Sequence, residues 1–131
     1  MNIPEDLKYT LTHEWVRFEK NGYVHIGLTD WEQSLPRHIV YINLPYTGEF
    51  YREGELFADV ESMGSGYEVF MPLSGRVVST NIQLSQRPEM LKEDPYGSWL
   101  VEIAGAIGGN LMGAQQYRAY LTYLEGKKAG K

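Results

Sequence analysis

Apolar and polar positions alternate most clearly between residues 13 and 28. Val16 and Phe18 alternate with Arg17 and Glu19, and Val24, Ile26 and Leu28 alternate with Tyr23 and His25. A period of two is the mark of half-buried strands. Lys20-Asn21-Gly22 lies between them. A two-residue turn at Asn21-Gly22 would set Phe18 opposite His25 and Val16 opposite Gly27. A three-residue loop with Gly22 in the left-handed conformation sets Phe18 opposite Val24 and Val16 opposite Ile26. Only the second register keeps the apolar residues on one face, so it is the predicted hairpin.

Further along, Thr29-Asp30-Trp31-Glu32 reads as a capping box and Pro36 as a stop, which predicts one short helix. Ile39 to Leu44 is β-branched and aromatic and ends at Pro45 and Gly48. Leu56, Ala58 and Val60 alternate with Phe57, Asp59 and Glu61, predicting another half-buried strand. Met63-Gly64-Ser65-Gly66 interrupts the pattern as a hairpin tip, and Val69 to Leu73 resumes it. Ser74-Gly75 predicts a turn into Arg76-Val77-Val78-Ser79. Pro88, Pro95 and Gly97 mark a long connection to a last strand, Trp99 to Ile103. The period then changes: Ala114, Tyr117, Leu121 and Leu124 recur at helical spacing. Asn110 or Gly113 caps that helix, and Gly126 with Lys127 and Lys128 predicts its end. The two hairpin tips lie about 43 residues apart, which suggests a duplicated sheet. The expected fold is mainly β: a sandwich or flattened barrel with a C-terminal helix and short helical turns.

Composition sharpens this picture. A chain of 131 residues is one domain's worth, spanning 1-131. Its 14 glycines and 6 prolines are spread along the chain, which suits short strands and argues against a helical bundle. Against 17 acidic residues stand 12 basic ones, for a net charge of −5, so no cationic footprint for nucleic acid is expected. Cysteine is absent, which removes disulfides, thiolate metal sites, Cys nucleophiles and redox pairs. Met1 to Asp6 has no signal-peptide pattern, and no apolar run approaches the roughly 20 residues of a membrane helix. A cytoplasmic protein that meets no membrane is expected.

The candidate chemistry is sparse. His13, His25 and His38 show no metal-ligand spacing, so no metal site is predicted. Gly-x-Ser-x-Gly is absent, and Ser65 in Gly64-Ser65-Gly66 lacks the flanks of a nucleophile elbow or a phosphate loop. Glu14, Asp59, Glu61 and Glu68 are the candidate acids or bases, and solvated strand faces are their ordinary role. The ten tyrosines read as strand and core packing. No catalytic residue is assigned; a non-enzyme is expected.

Taken in order, the segments resemble a known family, the H-protein of the glycine cleavage system, from about Leu7 to Leu124. The similarity is carried by Tyr9-Thr10 and His13-Glu14-Trp15-Val16, then Gly27-Leu28-Thr29-Asp30 with Gln33. Ile39-Val40-Tyr41-Ile42 and Leu44-Pro45 with Gly48 follow, then Glu61-Ser62 and Pro72-Leu73-Ser74-Gly75. Asn81, Leu84, Pro88-Glu89, Asp94-Pro95-Tyr96-Gly97, Trp99-Leu100, Leu111-Met112 and Tyr117 complete it. The resemblance implies a lipoyl-domain-like barrel-sandwich hybrid that acts as a carrier. In such proteins a lysine at a hairpin tip bears lipoate, which visits the decarboxylase, the aminomethyltransferase and the dihydrolipoyl dehydrogenase in turn.

That lysine belongs to the family motif Glu-Ser-Val-Lys-Ala, and the corresponding segment here is Glu61-Ser62-Met63-Gly64-Ser65. Gly64 therefore stands at the lipoyl position, and glycine has no amine to acylate. The other lysines are Lys8, Lys20, Lys92, Lys127, Lys128 and Lys131, of which only Lys20 lies beside a hairpin turn. Met63, Gly66 and Tyr67 also depart from the family, as does Arg37-His38, and Gly97-Ser98-Trp99 is one residue short of the family pattern. Glu14 matches the position that lines the cleft where the loaded arm docks. The resemblance with these departures implies a non-lipoylated relative, without lipoate, that binds proteins: a glycine cleavage or other lipoyl-system enzyme, or a lipoate-attachment enzyme. Two alternatives stand beside it: a component or regulator docking on the decarboxylase or aminomethyltransferase, and a small-molecule-binding domain using the vacant cleft.

Overall fold

A computed structural model describes residues 2–31 and 35–129. Among these residues, nine strands form two antiparallel sheets. β1 (Lys8–Tyr9), β2 (Glu14–Phe18), β3 (Val24–Leu28), β5 (Phe50–Tyr51), β8 (Ser74–Thr80) and β9 (Val101–Ile107) make the larger sheet, in the order β1-β2-β3-β9-β8-β5. The smaller sheet is β4 (Tyr41–Asn43), β6 (Leu56–Ser62) and β7 (Ser65–Phe70), in the order β4-β6-β7. Neither closes on itself, and together they form the flattened sandwich that the alternating pattern predicts.

The first hairpin has the predicted register, with Phe18 opposite Val24 and Val16 opposite Ile26. Gly22 has φ +88, and its N–H donates to the Glu19 carbonyl, closing the three-residue loop. Each of the two sheets holds one of the expected hairpins, β2–β3 in the larger and β6–β7 in the smaller.

Four local expectations are corrected. Ser74-Gly75 is no turn but the start of β8. A Cβ on Gly75 would overlap the Ile103 side chain on β9, so glycine serves close strand approach there. Perfect alternation in β6 fails because a bulge between Leu56 and Ala58 shifts the register. Phe57 and Ala58 are consequently both buried while Leu56 is exposed. Gly126 does not end the C-terminal helix, α3 (Ala114–Ala129). It keeps a helical conformation in open space, where a lone glycine costs about 1 kcal/mol but breaks no hydrogen bond. Thr29 caps no helix, because its hydroxyl is hydrogen-bonded to Tyr117 instead. Residues 29–31 are non-helical, and Glu32 of the capping box lies outside the described residues, as do Gln33 and Lys131.

The long connection before β9 holds two single helical turns, α1 (Gln83–Gln86) and α2 (Met90–Glu93), whose Leu84 and Leu91 are buried. Gly113 is the cap of α3: its N–H donates to Gln116 Oε1 at 3.0 Å and its carbonyl accepts from Tyr117.

Two apolar clusters hold the layers together. The main one joins residues of both sheets, including Val16, Ile26, Val60, Val69, Val77 and Ile103. A second lies under α3 and packs Leu7, Tyr9 and Trp15 against Ala114, Tyr117 and Leu121. Within it the Tyr9 and Tyr117 rings stack at 4.6 Å, only 3° from parallel.

Candidate functional site

The β6–β7 hairpin ends in a two-residue turn, Met63-Gly64, between paired Ser62 and Ser65. Their hydroxyls lie 2.7 Å apart and tie the strand ends together. Gly64 has φ +81, a left-handed value glycine adopts without strain. A Cβ there would meet nothing within 4 Å, so the position points into open space. Met63 beside it is 90% exposed. Lys20 sits at the tip of the β2–β3 hairpin, in the other sheet.

Glu14 occupies a very different setting. It begins β2, is fully buried, and one carboxylate oxygen accepts from Thr10 Oγ1 at 2.5 Å and Thr12 Oγ1 at 2.6 Å. The other accepts from the Phe70 backbone N–H at 3.2 Å, which links β2 to the far sheet. Burial pushes its pKa up, and these hydrogen bonds act against that rise. Glu14 lines a cleft of about 350 Å³ whose walls include Leu11, Phe70, Met71 and Pro72, with Glu53 as a second carboxylate.

His13 adopts φ +73, uncommon for any residue but glycine, and is buried. Its Nδ1 is 2.8 Å from the Tyr117 hydroxyl, which is itself 2.8 Å from the Thr29 hydroxyl. The imidazole stacks on Trp31 at 3.9 Å, and burial lowers its pKa to about 4. The Tyr117 hydroxyl thus bridges the His13 imidazole and the Thr29 hydroxyl.

The remaining candidates scatter. His25 lies between Glu19 and Glu102 at 3.1 Å from each and stacks on Trp99, whereas His38 is exposed. Ser65 is engaged with Ser62. Asp59, Glu61 and Glu68 sit on the outer face of the smaller sheet, and none lines the Glu14 cleft. Of the tyrosines, Tyr9 and Tyr117 are core, while Tyr46 is 80% exposed. Of the four carboxylates, Glu14 alone is wholly buried, which the alternation of β2 does not reveal. Its signal was the spacing Thr10-x-Thr12-x-Glu14, two hydroxyl donors within reach of one acid. The roles of Tyr117, Thr29 and Phe70 had no local signal at all.

A model of the family described as "Glycine cleavage H-protein" matches residues 7–123. A "Probable glycine cleavage system H protein" of Thermoplasma volcanium is 40% identical over 117 residues, covering 89% of this chain and 95% of that protein. The glycine cleavage system H protein of Ralstonia nicotianae is 40% identical over 121 residues, covering 90% and 95%. In three dimensions, the crystal structure of a glycine cleavage system H protein from Mycobacterium marinum superposes with a TM-score of 0.80. That pair shares 32% sequence identity over 89% of this chain and 97% of the other. Sequence similarity over nearly the whole length and agreement of the sandwich itself lead to one conclusion: this chain belongs to the glycine cleavage H-protein family.

Proposed function

We propose that the protein is a non-lipoylated member of this family, a cytoplasmic interaction protein and not a carrier or an enzyme. The observation that carries this reading is the residue at the tip of the β6–β7 hairpin. A lipoyl carrier holds its cofactor through an amide to a lysine amine on such a tip, and Gly64 offers no amine. The turn does not fit lipoate, whatever its backbone shape. Lys20, on a hairpin of the other sheet, lies outside the segment Glu61 to Ser65 that corresponds to the lipoyl motif. What survives is the framework, which supports binding to glycine cleavage enzymes or to a lipoate-attachment enzyme. Among the described residues no helix is long and apolar enough to cross a membrane.

Intact-mass spectrometry after co-expression with a lipoate ligase and added lipoate tests the reading. The expected mass is that of the unmodified chain. A gain of one lipoyl group would overturn the reading, and peptide mapping would then show whether Lys20 carries it. Gly64→Lys is the informative control. Its side chain has room, although an L-residue at φ +81 costs about 1–2 kcal/mol.

The cleft beside Glu14 favours a second reading, in which it receives a small molecule directly. A ligand that binds only the folded state raises Tm by mass action. Under this reading, a thermal-shift screen of small amines and carboxylates should find a stabilising compound whose effect Glu14→Gln diminishes. No stabilisation across the screen would count against it.

A further inference from the structure

The outer face of the smaller sheet carries a conflict that folding alone does not explain. Asp59 on β6 stands directly opposite Glu68 on β7, and like charges so placed destabilise a strand pair. Asn43 of β4 relieves part of this, its Nδ2 donating to Asp59 at 2.8 Å and to Glu61 at 2.7 Å. Neither Glu68 nor Asp59 has an ion-pair partner among the described residues, and no Lys, Arg or His occurs in any of the three strands.

Two grooves flank β6 on this face. One, of about 500 Å³, runs along the hairpin past Glu61 and Glu68. The other, of about 490 Å³, runs past Tyr41, Tyr46 and Glu49. They meet at Leu56 and Asp59, which line both. Among the described residues, neither groove is lined by a cationic one. The surface is therefore a continuous concave strip with carboxylates at intervals and exposed apolar side chains between them, Tyr41 at 51% and Leu56 at 47% exposure. A strip of that kind matches an extended chain whose side chains alternate cationic and apolar, because a strand-like segment repeats its side chains on one face every second residue. Such a segment would neutralise Asp59 and Glu68 together and cover Leu56 and Tyr41.

We infer that the two grooves meeting at Leu56 and Asp59 are the docking site for an extended Lys/Arg-rich, partly apolar segment of a partner protein. This deepens the reading of the chain as an interaction protein and rests on it. A sheet face that keeps an unfavourable charge pair gives up stability, which is the usual mark of a binding surface.

The test uses a fluorescein-labelled synthetic peptide alternating lysine and leucine, with the same peptide carrying glutamine for lysine and with spermidine as comparisons. Fluorescence anisotropy is combined with amide chemical-shift mapping of the isotope-labelled full chain. Saturable binding of the lysine peptide is expected, weakening with salt, with shifts confined to residues 41–46 and 56–68. The double variant Asp59→Asn/Glu68→Gln is expected to bind about tenfold more weakly while melting at a higher temperature than wild type. That opposite movement separates a binding face from a structural one, for which Tm would fall. The inference is overturned by absence of saturable binding, by shifts mapping elsewhere, or by unchanged affinity in the double variant. Equal binding of the glutamine peptide, or competition by spermidine at equal charge, would also overturn it, as would the same shifts arising from self-association without peptide. A lipoyl mass gain would overturn the proposed function on a separate measurement and would leave the peptide result standing.

Discussion

Trp15→Ala is expected to cost about 3–5 kcal/mol of folding stability and to lower Tm on the order of 10–20 °C. Trp15 is fully buried in the cluster beneath α3, and its Nε1 donates to the Pro95 carbonyl at 3.1 Å. The Arg17 guanidinium lies 4.9 Å from the ring. On the neighbouring strand Trp15 faces Gly27, where a Cβ would overlap the indole. Glycine is thus required at 27 because of tryptophan at 15. Gly27→Val is expected to cost about 1–3 kcal/mol through overpacking. The sharper test is the cycle: Gly27→Ala should be clearly destabilising in wild type and nearly neutral in the Trp15→Ala background. Equal effects in both backgrounds, measured by urea denaturation, would show that the two residues do not share one space.

The second large effect is acid sensitivity traced to His13. Burial lowers its pKa to about 4 from an ordinary value near 6.5. The unfolded chain therefore takes up a proton that the folded chain refuses. Stability from this group is fully present above pH ~6.5 and is lost as pH falls toward ~4, about 3 kcal/mol across the window. Roughly 2 kcal/mol of it should be gone by pH ~5, before most carboxylates titrate. Glu14, the next residue, has the opposite sign. Its pKa is raised by burial, so its contribution is present below the unfolded value and is lost as pH rises through the folded one. His13→Asn suits the positive φ, since asparagine tolerates the left-handed region. It is expected to melt lower at neutral pH, for lack of the stack on Trp31, but with a flattened acid slope. An acid slope in Tm as steep as wild type's would assign the pH dependence to other groups.

These two effects illustrate how unevenly the molecule could be read before its structure. The β2–β3 register followed from a local contest between two turn lengths, and the side of α3 that packs inward followed from Ala114, Tyr117 and Leu121. Both depend on periodicity and turn chemistry, which are properties of neighbours in the chain. Ser74-Gly75 and Gly126 depart from the expectation of a turn and a helix end for one shared reason. Glycine announces conformational freedom or a missing side chain, and sequence does not say which. At 75 the answer was the approach of Ile103, and at 126 it was neither. The bulge in β6 was invisible because one extra residue leaves composition unchanged while exchanging which faces Phe57 and Leu56 occupy.

By itself, the sequence determined the sheet-rich class, the hairpin at Gly22, the C-terminal helix and the absence of an amine at position 64. Each is written in residue type or in spacing, so no distant contact was needed to know it. Only the tertiary structure decided that Glu14 is buried and held by Phe70 from the opposite sheet, 56 residues away. It likewise decided that His13 is wired through Tyr117 to Thr29, and that Asp59 and Glu68 face each other across β6 and β7. Burial and charge pairing are properties of what folding brings together, and a carboxylate looks the same in the sequence whether it ends in water or in a core.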